Sequence, residues 1–287
     1  MKEGITVTKV LCVGNLKGGV GKTTTATQIA FNLAYNKHMK TLLVDLDPQG
    51  NASTILLKTK LNFDKKANTH AKASLMRAVQ DEDLSEALIN IYTNLVDHLD
   101  LLASSADFYN YSRFMEEKFP NSYQDRVTYF DKLTKDLFSQ YDFVILDTPP
   151  TVSLLTDSAL FASDWILVVT QTQQQSLEGA LTYLKYLQNT VINKLQAPRL
   201  DIIGILRVML DKNSSLDQAV MDDIENEFGK ENILPTIIHS QNRLKRWGRT
   251  GITVSGYFDK KALATYDQVT SEILERIKQN EQLTSHE

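Results

Sequence analysis

Short, almost continuously apolar runs rich in β-branched residues recur along the chain: VTKVLCVG (7–14), TLLVDLD (41–47), VDHLDLLA (96–103), YDFVILD (141–147), WILVVTQ (165–171), DIIGILRVML (201–210) and ILPTIIH (233–239). Several lack polar alternation, as expected of strands covered on both faces of a parallel sheet. Between them apolar residues fall at helical spacing: Leu75 and Val79; Leu84, Leu88 and Ile91; Leu177, Leu181, Leu184 and Leu187; Tyr266, Val269, Ile273 and Ile277. Strands alternating with helices predict an α/β fold, a doubly wound, mostly parallel sheet with helices on both faces. The polar, basic stretch 58–74 predicts a mobile surface excursion. Residues 104–140, helical in pattern without a strand, predict a two-helix elaboration, and the tail 279–287 is read as frayed. Length allows one large domain or two small ones; the chain is read as a single domain over 1–287 with helical elaborations around 58–95 and 104–140.

Composition narrows the picture. Hydrophobic residues make up 42% and charged residues 23% of the 287, an ordinary globular profile. A net charge of −4 gives no global attraction to nucleic acid or anionic lipid, so any such binding needs a local patch. Cys12 is the sole cysteine, which excludes an internal disulfide and a multi-cysteine metal site. The N-terminal run is too short and polar for a signal peptide, and no stretch reaches the length of a membrane span. A cytoplasmic setting without membrane contact is expected. The five histidines show no metal-ligand spacing.

GGVGKTT (18–24) follows a predicted strand and opens a predicted helix. That is the context of a phosphate-binding loop. Gly18, Gly19, Val20 and Gly21 supply backbone N–H groups that turn inward onto phosphate oxygens, aided by the helix N-terminus. Lys22 supplies charge to the β- and γ-phosphates, Thr23 a hydroxyl for Mg²⁺, and Thr24 continues the cradle. The usual motif has glycine at position 16, where this chain has Leu16. Asp45 and Asp47 close one strand run and Asp147 another. Residues two apart on a strand share a face, so the first two carboxylates are expected to point the same way. Asp147, at the end of a buried strand, stands where a Walker B aspartate holds Mg²⁺.

Lys17 is left over, since one lysine suffices for the cradle. KGGVGKTT with its extra lysine resembles the deviant Walker A motif of the ParA/MinD family of P-loop ATPases. LLVDLDPQGN (42–51) and FVILDTPP (143–150) resemble that family's other two motifs, and QQQSLEGALTYL (173–184) and DIIGILRVMLD resemble later parts of ParA-type partition ATPases. The resemblance implies a P-loop NTPase fold, ATP and Mg²⁺ as ligands, and a homodimer that forms on ATP. It implies that Lys17 reaches across the dimer to the partner's nucleotide, as an arginine finger does. It implies that Asp47 orients the attacking water and that Asp45 and Asp147 hold the Mg²⁺ shell. Partition-type members often carry a proline-arginine-asparagine stretch after the last strand. Here His239, Ser240 and Gln241 stand in that region, so the adenine contacts are left unassigned.

The same resemblance implies nonspecific DNA binding by the ATP-bound dimer, nucleoid association in that state, and a ParB-like centromere-binding partner that stimulates hydrolysis. RLKRWGRTG (243–251) places Arg243, Lys245, Arg246 and Arg249 within one short segment and makes them the candidate DNA contacts, with Lys260 and Lys261 as weaker ones. Two alternatives stay open: a MinD-like spatial regulator, for which the mixed-charge C-terminus lacks aromatic anchors, and a P-loop metabolic synthetase.

Overall fold

Successive apolar residues of the strand Lys9–Gly14 (β1) point into two different cores. Val10 and Cys12 join one, Leu11 and Val13 the other. The strands Thr41–Asp45 (β2), Phe143–Asp147 (β5) and Trp165–Gln171 (β6) divide in the same way. Period-two geometry sends neighbouring side chains to opposite faces, so a strand buried on both sides reads as an unbroken apolar run. The computed structural model describes residues 7–91, 98–211 and 214–284. With Leu88–Asn90 (β3), Leu99–Leu102 (β4), Asp201–Leu210 (β7) and Ile238–His239 (β8), they form one sheet ordered β3-β4-β2-β5-β1-β6-β7-β8. Among the described residues β3 alone pairs antiparallel, and every other strand pairing is parallel.

One face is covered by the helices α1 (Lys22–Tyr35), α2 (Asn51–Phe63), α9 (Asn242–Thr250) and α10 (Tyr257–Thr284). The other is covered by α3 (Leu75–Gln80), α4 (Tyr111–Lys118), α5 (Tyr123–Phe138), α6 (Leu154–Phe161), α7 (Gln174–Tyr186) and α8 (Ser215–Phe228). This is the doubly wound arrangement expected from the alternation. Helix α1 is buried along nearly its whole length, because α10 lays Tyr266, Val269, Ile273 and Ile277 against the core it shares.

Several local expectations change. Residues 58–63 are not a surface excursion but the last turns of α2, where Thr59 Oγ1 accepts the Ile252 amide at 2.8 Å and Asn62 Nδ2 donates to the carbonyls of Thr250 and Ile252. Leu84, Leu88 and Ile91 do not share a helix. Leu84–Ala87 is one turn of 3-10 helix, and Leu88 opens β3, because backbone pairing with β4 wins over a weak local periodicity. The run at 41–47 stops as a strand at Asp45, and the run at 233–239 yields only Ile238–His239 and an isolated bridge from Ile233 to Ile205. The tail is helical through Thr284, anchored by Ile273 and Ile277; residues 285–287, and residues 96–97 of the third run, lie outside the described residues.

Candidate functional site: a phosphate loop at the carboxyl edge of the sheet

β1 lies between β5 and β6, and the loop 15–21 leaves its carboxyl end to enter α1. Ligands of open α/β sheets bind at this edge, where the order of connection reverses. Gly19 (φ 76°) and Gly21 (φ 89°) occupy the left-handed region that side chains disfavour. Val20 is buried and pins the loop from below. No side chain caps the first turn of α1, so its orphan amides face the cleft.

The two lysines part company. Lys22 is buried, and its Nζ donates to the Lys17 carbonyl at 3.0 Å. Burial pulls its pKa down, while the charges of Asp147 and Asp47 pull it back up. Lys17 lies on the outer rim, half-buried against α7, where its Nζ donates to Ser176 Oγ at 3.1 Å. Asn15 and Gln171 splint the loop: Asn15 Nδ2 donates to the Val169 carbonyl (2.8 Å), Asn15 Oδ1 accepts the Lys17 amide (2.9 Å), and Gln171 Nε2 donates to the Gly19 carbonyl (2.8 Å). Sequence reasoning missed both. The only local sign was a polar residue at the same end of two adjacent apolar strands.

Asp45 and Asp147 are register partners on neighbouring strands, both fully buried. Asp45 Oδ2 accepts the amide and hydroxyl of Ser53, at 2.8 and 2.7 Å, and Oδ1 accepts the Asp47 amide at 3.2 Å. Burial nevertheless pushes its pKa up to about 6. Asp147 has no hydrogen-bond partner of ordinary geometry on either oxygen. Burial first, then the charge of Asp45, hold its pKa well above the carboxylate range, with the Thr23 hydroxyl and Lys22 pulling the other way. Asp47 does not share the strand face with Asp45. It sits half-buried in the turn beyond, accepting the Gln49 amide at 3.0 Å and lining the cleft with Thr23.

Those groups open on a cleft of about 770 Å³ that also takes in Thr24, Thr148 and Pro150. A smaller cavity of about 70 Å³ lies behind Gly21 and Thr24, between Met209, His239, Ser240, Gln241 and Tyr266. Met209 lines both. It has φ 61°, unusual for a side chain, at a bulge in the β7–β8 pairing, and this turns its side chain toward Gly21.

The basic segment forms α9, which borders the cleft through Gly248 and the smaller cavity through Lys245. Trp247 is buried and donates from Nε1 to Thr253 Oγ1. Arg243, expected among the DNA-contacting cations, is instead committed inward: its Nε lies 2.6 Å from Asp259 Oδ1, with Arg243 21% and Asp259 2% exposed. Lys245, Arg246 and Arg249 point to solvent and make no ion pair among the described residues.

A phosphate loop at the carboxyl end of the central parallel strand, opening a buried helix, defines a P-loop NTPase fold. A family model described as an AAA domain (AAA_31) matches residues 8–202. Chromosome partitioning protein ParA of Myxococcus xanthus is 31% identical over 272 residues, covering 94% of this chain and 89% of that protein. Chromosome-partitioning ATPase Soj of Treponema pallidum is 32% identical over 273 residues, covering 93% and 98%. The chain belongs to the ParA/Soj family of partition ATPases. Among solved structures, apo McdA of Cyanothece superposes with a TM-score of 0.75 at 20% identity, covering 93% of this chain and 99% of that one. Cobyrinic acid a,c-diamide synthase of Mycobacterium smegmatis gives 0.75 at 23% identity, covering 95% and 96%. These two likenesses concern the fold. No helix among the described residues is long and apolar enough to cross a membrane.

Proposed function

We propose that the chain is an ATP-dependent DNA-partition ATPase whose ATP-driven homodimerisation switches on nonspecific DNA binding, with a ParB-like centromere-binding partner stimulating hydrolysis. The observation that carries the reading is the division between the two lysines. Lys22 is enclosed by the loop, whereas Lys17 stands on its rim with only a neutral hydroxyl for its ammonium group. Exchanging Ser176 for a phosphate oxygen of a facing subunit's nucleotide trades a neutral acceptor for an anionic one and so adds an ion pair to the hydrogen bond. ATP would thereby become part of the dimer interface.

The residues fit Mg²⁺. Asp147 offers a buried carboxylate with both oxygens free, next to Thr23, and a cation there would remove the cost of that burial. Thr23, Asp147 and, behind them, Asp45 would hold Mg²⁺, which would supply charge neutralisation at the β- and γ-phosphates. Gly18, Gly19, Val20, Gly21, Lys22, Thr23 and Thr24 cradle the phosphates. Asp47, fixed by its turn on the cleft wall, orients the attacking water. Met209, His239, Ser240 and Gln241 line the cavity offered to the base.

DNA binding is assigned to Lys245, Arg246 and Arg249, with Arg243 positioning them through Asp259. A few phosphate contacts per subunit bind weakly at physiological salt. Two patches on one dimer gain about 10²–10⁴ in avidity, which makes binding ATP-dependent without any new contact. In the cell this places the ATP-bound form on the nucleoid. Hydrolysis measured with and without unrelated duplex DNA and candidate partner tests the reading: DNA and partner together accelerate it. Turnover indifferent to both favours a synthetase instead.

A further inference from the structure

Two aromatic rings stand out from the surface at the start of α10. Tyr257 is 75% and Phe258 65% exposed, and the rings meet edge-on with centroids 5.4 Å apart and planes at 78°. Aromatic side chains ordinarily gain a large burial term that this pair forgoes. Their backbone is anchored. The next residue, Asp259, is held by Arg243, by the Thr253 hydroxyl at 2.9 Å and by the Gly256 amide at 3.1 Å.

The surroundings are basic. Lys260 and Lys261 lie three residues on from Tyr257 and Phe258, and both are exposed. Arg243, whose guanidinium reaches Gly256, lies three residues before Arg246 on α9. That contact ties α9, which carries Lys245, Arg246 and Arg249 on its exposed positions, to the turn just before the rings. Lys245, Arg246, Arg249, Lys260 and Lys261 form no ion pair among the described residues. Asp259 is the only acid between 242 and 261, and it is buried.

We infer that Tyr257 and Phe258 are the apolar half of the DNA-contacting surface, with the five exposed cations as its ionic half. The inference rests on the reading that this chain binds DNA. A duplex presents phosphate rows on either side of grooves whose walls are sugars and base edges. Cations take the phosphates, and the aromatic pair packs against the sugars and base edges of the groove. A bilayer fits less well. Membrane-surface helices carry apolar residues over several turns, whereas the exposed face of α10 beyond the rings continues with Lys260, Lys261, Ala264 and Gln268.

The two halves respond differently to salt, which makes the inference testable. Binding of an unrelated duplex is followed by fluorescence anisotropy with a nonhydrolysable ATP analogue over a salt series. Phe258→Ser combined with Tyr257→Ser lowers affinity about tenfold at every salt concentration and leaves the slope of log K against log salt unchanged. Arg246→Ala flattens the slope by about one. If the aromatic double variant binds as the wild type does, the inference fails and the DNA reading stands. A slope that flattens in the aromatic variant also overturns it. If the wild type with the analogue binds no duplex at any salt, the DNA reading falls and takes the inference with it. Binding to phosphatidylglycerol vesicles that needs both rings, with DNA affinity unmoved by their loss, assigns the surface to a bilayer and overturns the proposal.

Discussion

The phosphate-loop edge and the α9–α10 corner hold buried charge in opposite ways. At the corner Asp259 meets Arg243, Thr253 and the Gly256 amide, and Thr253 in turn accepts Trp247 Nε1. The main groups there have partners within the chain, and the network fixes a helix whose remaining cations face outward. At the loop edge Asp147 is buried with no hydrogen bond of ordinary geometry and only the Thr23 hydroxyl acting on it, and Lys22 donates to a backbone carbonyl alone. Satisfied buried polar groups build structure; unsatisfied ones mark where a ligand completes the set. The corner is therefore expected to answer to mutation in stability, and the loop edge in function.

The largest effects are expected at the loop edge. Lys17→Gln retains ATP affinity, because Lys22 and the loop amides remain, but loses ATP-dependent dimerisation and about 10³-fold in turnover, the scale of a charge supplied in trans. Light scattering with a nonhydrolysable analogue checks this, and a variant that dimerises like the wild type would remove the trans role. Asp47→Ala still binds ATP and Mg²⁺ but hydrolyses about 10²-fold more slowly, so its dimer persists. Single-turnover hydrolysis under a Mg²⁺ titration separates it from Asp147→Ala, in which Mg²⁺ use itself weakens.

At the corner, Arg243→Gln strands Asp259 in the interior and costs about 3 kcal/mol of stability by urea denaturation. An unchanged midpoint together with lost DNA binding would return Arg243 to the DNA face.

The smallest expected change is one of stability, and it is also the sharpest contrast. Asp147→Asn is expected to raise the Tm of the nucleotide-free protein at pH 8 while weakening Mg²⁺-dependent turnover as Asp147→Ala does. Its sign follows from the raised pKa of Asp147. The folded state holds the proton more tightly than the unfolded chain, so the wild type loses stability as pH climbs above the ordinary carboxylate range. An uncharged side chain escapes that loss, and the gap between variant and wild type closes toward pH 4. A variant less stable than the wild type at both pH values would show that Asp147 is already compensated.

The loop edge was largely legible because its chemistry is contiguous. Glycines, Lys22 and Thr23 follow one another at the junction of a strand and a helix, and Asp45 and Asp147 end apolar runs that could only be strands. What escaped there acts at a distance: Asn15 ties the loop to Val169 of β6, Gln171 at the end of β6 reaches back to Gly19, and Met209 depends on a bulge no local pattern announces. The corner was legible only as a composition. That Arg243 faces inward follows from an acid sixteen residues later, and that residues 58–63 form a docked helix end follows from their bonds to residues 250–252. A Cβ on Gly251 would lie 2.4 Å from the Thr59 amide nitrogen, so only glycine lets the α9–α10 link dock there. β3 was misread for the same reason: its partner strand, not its own spacing, decides its conformation.

Nucleotide at the loop edge is expected to switch on DNA binding at the corner. The direct test is a gel-shift series on unrelated duplexes, with ATP, with ADP and without nucleotide, at several salt concentrations, for the wild type and for Arg246→Glu combined with Arg249→Glu. The wild type is expected to bind every sequence alike, only with ATP, and to weaken steeply with salt. The double variant is expected to lose DNA while light scattering still reports its ATP-dependent dimer. Equal DNA binding by the wild type with and without ATP, or undiminished binding by the double variant, would contradict the account.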